Sequence, residues 1–153
     1  MKHLRGFNES SAGLTQEEIK DFCEINLAYL LDDGMDILMD EYNIVDKFGY
    51  EVILSLKDVD NKRWIDIKDQ VIPFLIRLKN EYDLKTFDWV TDLPTADIIF
   101  VTSMKYGTKY EGYSDYFTTD AVINDNIRRD WAKFTSIYKV NQISFYIKNK
   151  KLT

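Results

Sequence analysis

The side chains able to do chemistry fall into three stretches. Asp32, Asp33, Asp36, Asp40 and Glu41 crowd one of them. Carboxylates at that density suit a magnesium ion or a docking patch for basic residues, and equally a solvated rim where a helix ends and a strand begins. Asp32, Asp33 and Asp36 are the weak metal candidates. If Asp36 and Asp40 share one strand face, they stand too far apart to chelate a single ion unaided. The second stretch, Asp58-Val59-Asp60-Asn61, opens like a calcium loop. Arg63 then falls where the loop needs glycine, Lys62 on a ligand position and Asp69 where a bidentate glutamate belongs. The pattern fails at the turn, so Asp58 and Asp60 are expected to start a following helix.

The third stretch is Met104 to Phe117, where Tyr106, Tyr110, Tyr113, Tyr116 and Phe117 are interleaved with Lys105, Lys109, Gly107 and Gly112. Aromatics beside lysines can stack bases and hold phosphates. Tyrosine also suits protein interfaces, because it offers a large contact area with few rotatable bonds. Glu111 and Asp115 cancel the two lysines, which weighs against nucleic acid. The plainer expectation is a glycine-bent loop or hairpin whose tyrosines close one end of the core. These five aromatics are the candidate binding residues, with a protein as the partner.

Other chemistry lacks its parts. His3 is the only histidine and Cys23 the only cysteine, too few for a histidine-dependent triad, a zinc set or an internal disulfide. The chain carries no GxxxxGK[ST], GxGxxG or GxSxG. No cofactor and no enzymatic activity are expected; an enzyme here would have to work through carboxylates, lysine or tyrosine.

The elements that must position these residues follow from periodicity. Trp64, Ile67, Val71, Phe74 or Leu75, Leu78 and Tyr82 recur at steps of three and four, which predicts a core helix over residues 63–82. Pro73 removes a backbone donor inside it, so the helix is expected either to kink there or to begin nearer Asp69. Upstream, Thr15 and Glu18 make a capping box, Leu14 can staple onto Ile19, and Ile19, Phe22, Cys23, Leu27, Leu30 and Leu31 form an inward stripe. Asp32-Asp33-Gly34 ends that helix. Alternation through Met35, Ile37 and Met39, then through Tyr50, Val52, Leu54 and Leu56, predicts an antiparallel hairpin.

Beyond the core helix, Phe87 and Trp89 are expected to form a short extended piece before Leu93-Pro94. Residues 97–102 read as a strand apolar on both faces and therefore central. Ile127, Trp131, Phe134 and Tyr138 have helical spacing, with Asn124 or Asp125 as cap. Residues 142–148 form a last strand with Ile143, Phe145 and Ile147 on one face. Its lysines protect an exposed sheet edge only in part, which leaves homo-oligomerisation open. Lys148, Lys150 and Lys151 read as a solvated tail. The fold class is α+β: two layers, a mainly antiparallel sheet with two or three helices on one face, ordered helix, hairpin, helix, strand, insert, helix, strand.

With 153 residues, 45% of them hydrophobic and 14% aromatic, the chain is long and apolar enough to bury one core. Residues 1–13 are expected to be a mobile leader and 14–153 a single domain. No apolar run reaches the ~20 residues of a bilayer span, and no membrane partner is expected. A net charge of −6 offers no general attraction for nucleic acid and favours solubility or a basic partner surface. The single cysteine fits a reducing, cytosolic setting.

The leader, Met1-Lys2-His3-Leu4-Arg5-Gly6-Phe7-Asn8-Glu9-Ser10, resembles a start common to small accessory proteins of large tailed bacteriophages. The stretches LAYLLDDG, IKDQVIPFLIRLKNEY and ISFYIKNK share their general look. The resemblance implies a viral protein acting in the host cytoplasm by binding another protein. It also implies an alternative, a virion-packaged protein. In T-even-like phages, short N-terminal targeting peptides are removed after a glutamate that follows an aliphatic residue by two positions. Here Glu9 is present, but Phe7 stands in the aliphatic place.

Overall fold

The computed structural model describes residues 13–44, 47–59, 62–84, 98–107, 112–124 and 129–151. The candidates Phe7, Glu9 and Tyr110, and the expected extended piece at Phe87 and Trp89, lie outside these residues. In chain order the elements are α1 (Gln16–Asn26), α2 (Ala28–Asp32), β1 (Asp36–Ile44), β2 (Lys47–Ser55), α3 (Trp64–Glu81), β3 (Tyr82–Leu84), β4 (Ile98–Lys105), β5 (Gly112–Thr118), α4 (Thr119–Ile123), α5 (Arg129–Ile137) and β6 (Tyr138–Lys151). The class is α+β with an antiparallel sheet.

The first helix begins as its sequence dictates. Thr15 Oγ1 accepts the Glu18 N–H at 3.2 Å, and Leu14 is buried beneath the cap. The expected single helix is two, because Leu27 leaves the helical region at φ −123° and ψ 26°. Its end is a Schellman turn. The Met35 N–H donates to the Leu30 carbonyl at 2.9 Å and the Gly34 N–H to the Leu31 carbonyl at 3.1 Å. Gly34 has φ +112°, and a Cβ there would lie 2.6 Å from the Asp58 carbonyl oxygen. Glycine is therefore required twice, by the turn and by the chain crossing it.

The long helix α3 starts at Trp64 and runs through Pro73, so the late start near Asp69 is ruled out. All six positions of the expected stripe are buried, with both Phe74 and Leu75 facing inward, although Tyr82 lies just past the helix and opens β3. Asp58 does not start this helix. Arg63 is its N-cap, with its own N–H donating to Asp66 Oδ2 at 3.0 Å. Asp60 lies outside the described residues.

The strands order as β1-β2-β6-β4-β5, every pair antiparallel, with β3 also on β6. Ile143 pairs with Leu54 on one side and Val101 on the other, which makes β6 the middle strand. This corrects the sequence reading of the last strand as an edge with a lysine tail: β6 runs on to Lys151, which pairs with Tyr82. The edges of the β1-to-β5 path are β1 and β5. The expected central strand at 97–102 is interior, held between β6 and β5.

Alternation sorts the sheet's two faces. Val52, Leu54, Ile143, Phe145, Ile147, Ile99, Val101 and Phe117 are buried on the face that carries the helices, where Phe74 of α3 meets Phe145 with ring centroids 6.1 Å apart. Two further corrections concern the C-terminal third. The expected helix through Trp131 and Phe134 is described over Arg129–Ile137, Tyr138 opens β6 instead of continuing it, and Asn124 closes α4; Asp125 and Ile127 lie outside the described residues. The short helix α4 was not anticipated, although Thr118 Oγ1 accepts the Ala121 N–H at 3.1 Å in an ordinary N-cap.

Candidate functional site

The tyrosine-rich insert is the hairpin of β4 and β5, and the structure divides its aromatics among three places. Tyr106 lies against α3, where the Arg63 guanidinium sits 4.8 Å from its ring centre. Burial raises the Tyr106 phenol above its usual range, and Arg63 partly offsets this. Tyr116 is on the sheet face away from the helices, against Phe100 with centroids 4.8 Å apart. Tyr113 and Phe117 face the helices.

Those two residues meet α5. Trp131 and Phe134, three apart and so on one helical face, both contact Phe117, at 4.8 and 5.0 Å between centroids. Tyr138 stacks on Phe134 at 5.1 Å and 25°, and Tyr113 stacks on Tyr138 at 5.2 Å and 27°. Trp131 is fully buried and anchors this series, while Tyr113 at its outer end is 41% exposed. The result is a graded aromatic wall running from the core to solvent.

The wall bounds an open cleft of about 540 Å³ between β5 and α5, lined by Tyr113, Asp115, Lys133, Phe134, Ile137 and Tyr138 among others. Asp115 projects from the strand and Lys133 from the helix. The Tyr113 hydroxyl is 3.4 Å from Asp115 Oδ2, and the nearby carboxylate is the main reason its phenol is raised.

The strand edge beside the cleft completes the site. The Tyr116 N–H donates to Asp115 Oδ1 at 2.8 Å rather than across the sheet. Phe100 and Tyr116 are therefore a non-hydrogen-bonded pair, which agrees with the closeness of their rings. By the same alternation Ser114 also turns its N–H and C=O outward. Among the described residues no strand pairs with that side of β5.

The acidic stretch does not assemble into a site. Asp33 is paired with Lys62 at 3.2 Å, Asp32 is exposed at the end of α2, and Asp36 lies opposite Ser55 on the outer face of β1. No group of three or more histidine, cysteine, aspartate or glutamate side chains converges among the described residues. Nor is any described helix long and apolar enough to cross a membrane.

Sequence reasoning missed Lys133 and Ile137 as cleft residues and treated Asp115 only as a cancelling charge. Phe134 and Tyr138 were legible as a helical stripe, but what they meet depends on strand order. Fold and cleft together define an α+β arrangement in which the outer edge of β5 is unpaired among the described residues and is backed by an aromatic wall. No known protein family, curated protein or solved structure matches the chain.

Proposed function

We propose that this chain is a non-enzymatic protein-binding domain that takes an extended partner segment onto the edge of β5, beside the aromatic cleft. The observation that carries this reading is the outward row of Ser114 and Tyr116 backbone groups lying next to Tyr113, Phe134 and Tyr138. Strand addition needs both parts, since main-chain hydrogen bonds give affinity and side-chain pockets give specificity. The opposite edge, β1, bears Asp36, Asp40 and Glu41, charges of the kind that deter pairing. Asp115 is a milder guard of the same sort. It occupies the Tyr116 N–H, so a ligand must replace that bond, and a basic side chain suits the carboxylate so released. The leader's resemblance supports placing the domain among phage accessory proteins acting in the host cytoplasm.

The test is selection of a random peptide display library on the intact chain, followed by binding of the enriched peptides to wild type and to Ser114→Pro. Proline removes an outward N–H and is tolerated on edge strands. Enriched peptides should bind wild type and lose at least about tenfold in affinity to the variant, ~1.4 kcal/mol. Undiminished binding to a folded Ser114→Pro would remove the strand-addition reading.

A further inference from the structure

The face of the sheet away from the helices carries a second surface, which the strand register makes readable. The pairings Leu38 with Ile53, Ile53 with Ser144, Ser144 with Phe100, and Phe100 with Tyr116 form one continuous line across five strands. Its two ends are among the most exposed large apolar side chains described: Leu38 is 52% and Tyr116 60% accessible. Between them Ile53 and Phe100 are half-buried and Ser144 is buried, so the line dips at its smallest member. The contacts that α3 and α5 make with the sheet, Phe74 on Phe145 and Trp131 on Phe117, fall on the opposite face.

Charge marks one end of the line. Asp36 and Asp40 flank Leu38 on the same face of β1, and Glu51 lies opposite Asp40 on β2. Tyr146 is Glu51's other neighbour. Among the side chains described, the cations on this face are Lys139 and Lys148, which sit on β6 away from the line. With strands spaced about 4.8 Å, five of them extend over about 19 Å. A helix rising 1.5 Å per residue covers that span in about 13 residues. Such a helix crossing β1 at Leu38 has one aspartate on each flank, each about 7 Å along the strand from Leu38.

We infer that this face docks a basic amphipathic helix of a partner, its apolar stripe along Leu38, Ile53, Phe100 and Tyr116 and its lysines or arginines beside Asp36 and Asp40. This surface is separate from the β5 edge and does not depend on the cleft reading. A second copy of the chain fits less well. A two-fold axis through the middle of the line and perpendicular to it sets the carboxylate end against Phe100 and Tyr116, where no cation among the described residues answers it.

The test uses two fluorescent helix-forming peptides of about 14 residues with the same leucine stripe, one filled in with lysine and one with glutamate, titrated into the intact chain. The lysine peptide should bind saturably, at least about tenfold tighter than the glutamate peptide, and more weakly at high salt. Asp36→Asn with Asp40→Asn should lose at least about fivefold and most of the salt dependence. Leu38→Ser should weaken binding comparably, and Ile25→Ser, on exposed α1, should not. Equal binding of both peptides, no saturable binding of the lysine peptide, or Leu38 and aspartate variants that are folded yet bind like wild type would each overturn the inference. So would a sedimentation result showing a dimer that Leu38→Ser dissociates, since the face would then belong to a second copy.

Discussion

Tyr113 and Tyr116 stand three residues apart on one strand and face opposite sides of the sheet. Tyr113 stacks on Tyr138 at 5.2 Å beside the cleft, while Tyr116 contacts Phe100 at 4.8 Å on the other face. An odd separation on a strand guarantees this. A patch that looks uniform in sequence is thus two surfaces and, with Tyr106 against Arg63, a third environment. The grouping predicts unequal effects. Tyr113→Ala should weaken cleft-selected peptides by about tenfold or more, whereas Tyr106→Leu, which keeps the bulk against α3, should change them less than about twofold. Titration of both variants against one selected peptide decides it, and equal losses would mean that the tyrosines act as one site after all.

The turn at Gly34 is a point of structural dependence. Any side chain there meets both an unfavourable φ and the Asp58 carbonyl. Gly34→Ala should lower stability by about 1–3 kcal/mol, measured by urea unfolding, with an unchanged m-value. A neutral result would mean that the α2–β1 turn and the β2–α3 connection separate readily.

The core prediction concerns Phe74, fully buried between Phe22 at 5.7 Å and Phe145 at 6.1 Å. Phe74→Ala should cost about 3–5 kcal/mol, because it opens a cavity where α3 meets the sheet. Thermal unfolding should show a large drop in midpoint. A loss below about 1 kcal/mol would contradict the packing described.

Alkaline pH should unfold the protein through groups held neutral by burial. Burial, then Glu24, raises the Cys23 thiol from 9.0 to about 12; burial, then Glu81, likewise takes the Tyr82 phenol to about 12. Each binds its proton more tightly when folded. Their contribution is complete below the unfolded-state values and is lost as pH rises from about 9 towards 12. For Cys23 this is on the order of 4 kcal/mol. The melting temperature should be steady near neutrality and fall across that window, and Cys23→Ala should flatten the fall. In the same native state the thiol should resist a thiol reagent at pH 8 until denaturant is added.

How much of this was legible in sequence depended on range. The α3 stripe, the Thr15 cap and the Gly34 stop are written in residues a few positions apart, and the structure places them as read. The hairpin of β1 and β2 was also local. Strand order was not, because nothing near Ile143 says that its partners will be Leu54 and Val101. For that reason the last strand looked like an edge although it is the middle of the sheet. The cleft suffered likewise: Tyr113 and Tyr138 are far apart in the chain and meet only after β5 takes the outer position and α5 folds back over it. Asp115 shows the same limit, since its bond to the Tyr116 N–H exists only because that N–H faces off the sheet.

The central claim is that β5 accepts another strand, and backbone amide exchange reads this directly. Hydrogen–deuterium exchange at single-residue resolution should be followed for the intact chain, alone and saturated with a display-selected peptide. Strand addition predicts that the Ser114 and Tyr116 amides, outward in the free protein, slow at least about tenfold on binding, while amides on the β1 edge stay unchanged. Tight binding that leaves Ser114 and Tyr116 exchanging as before would contradict the account.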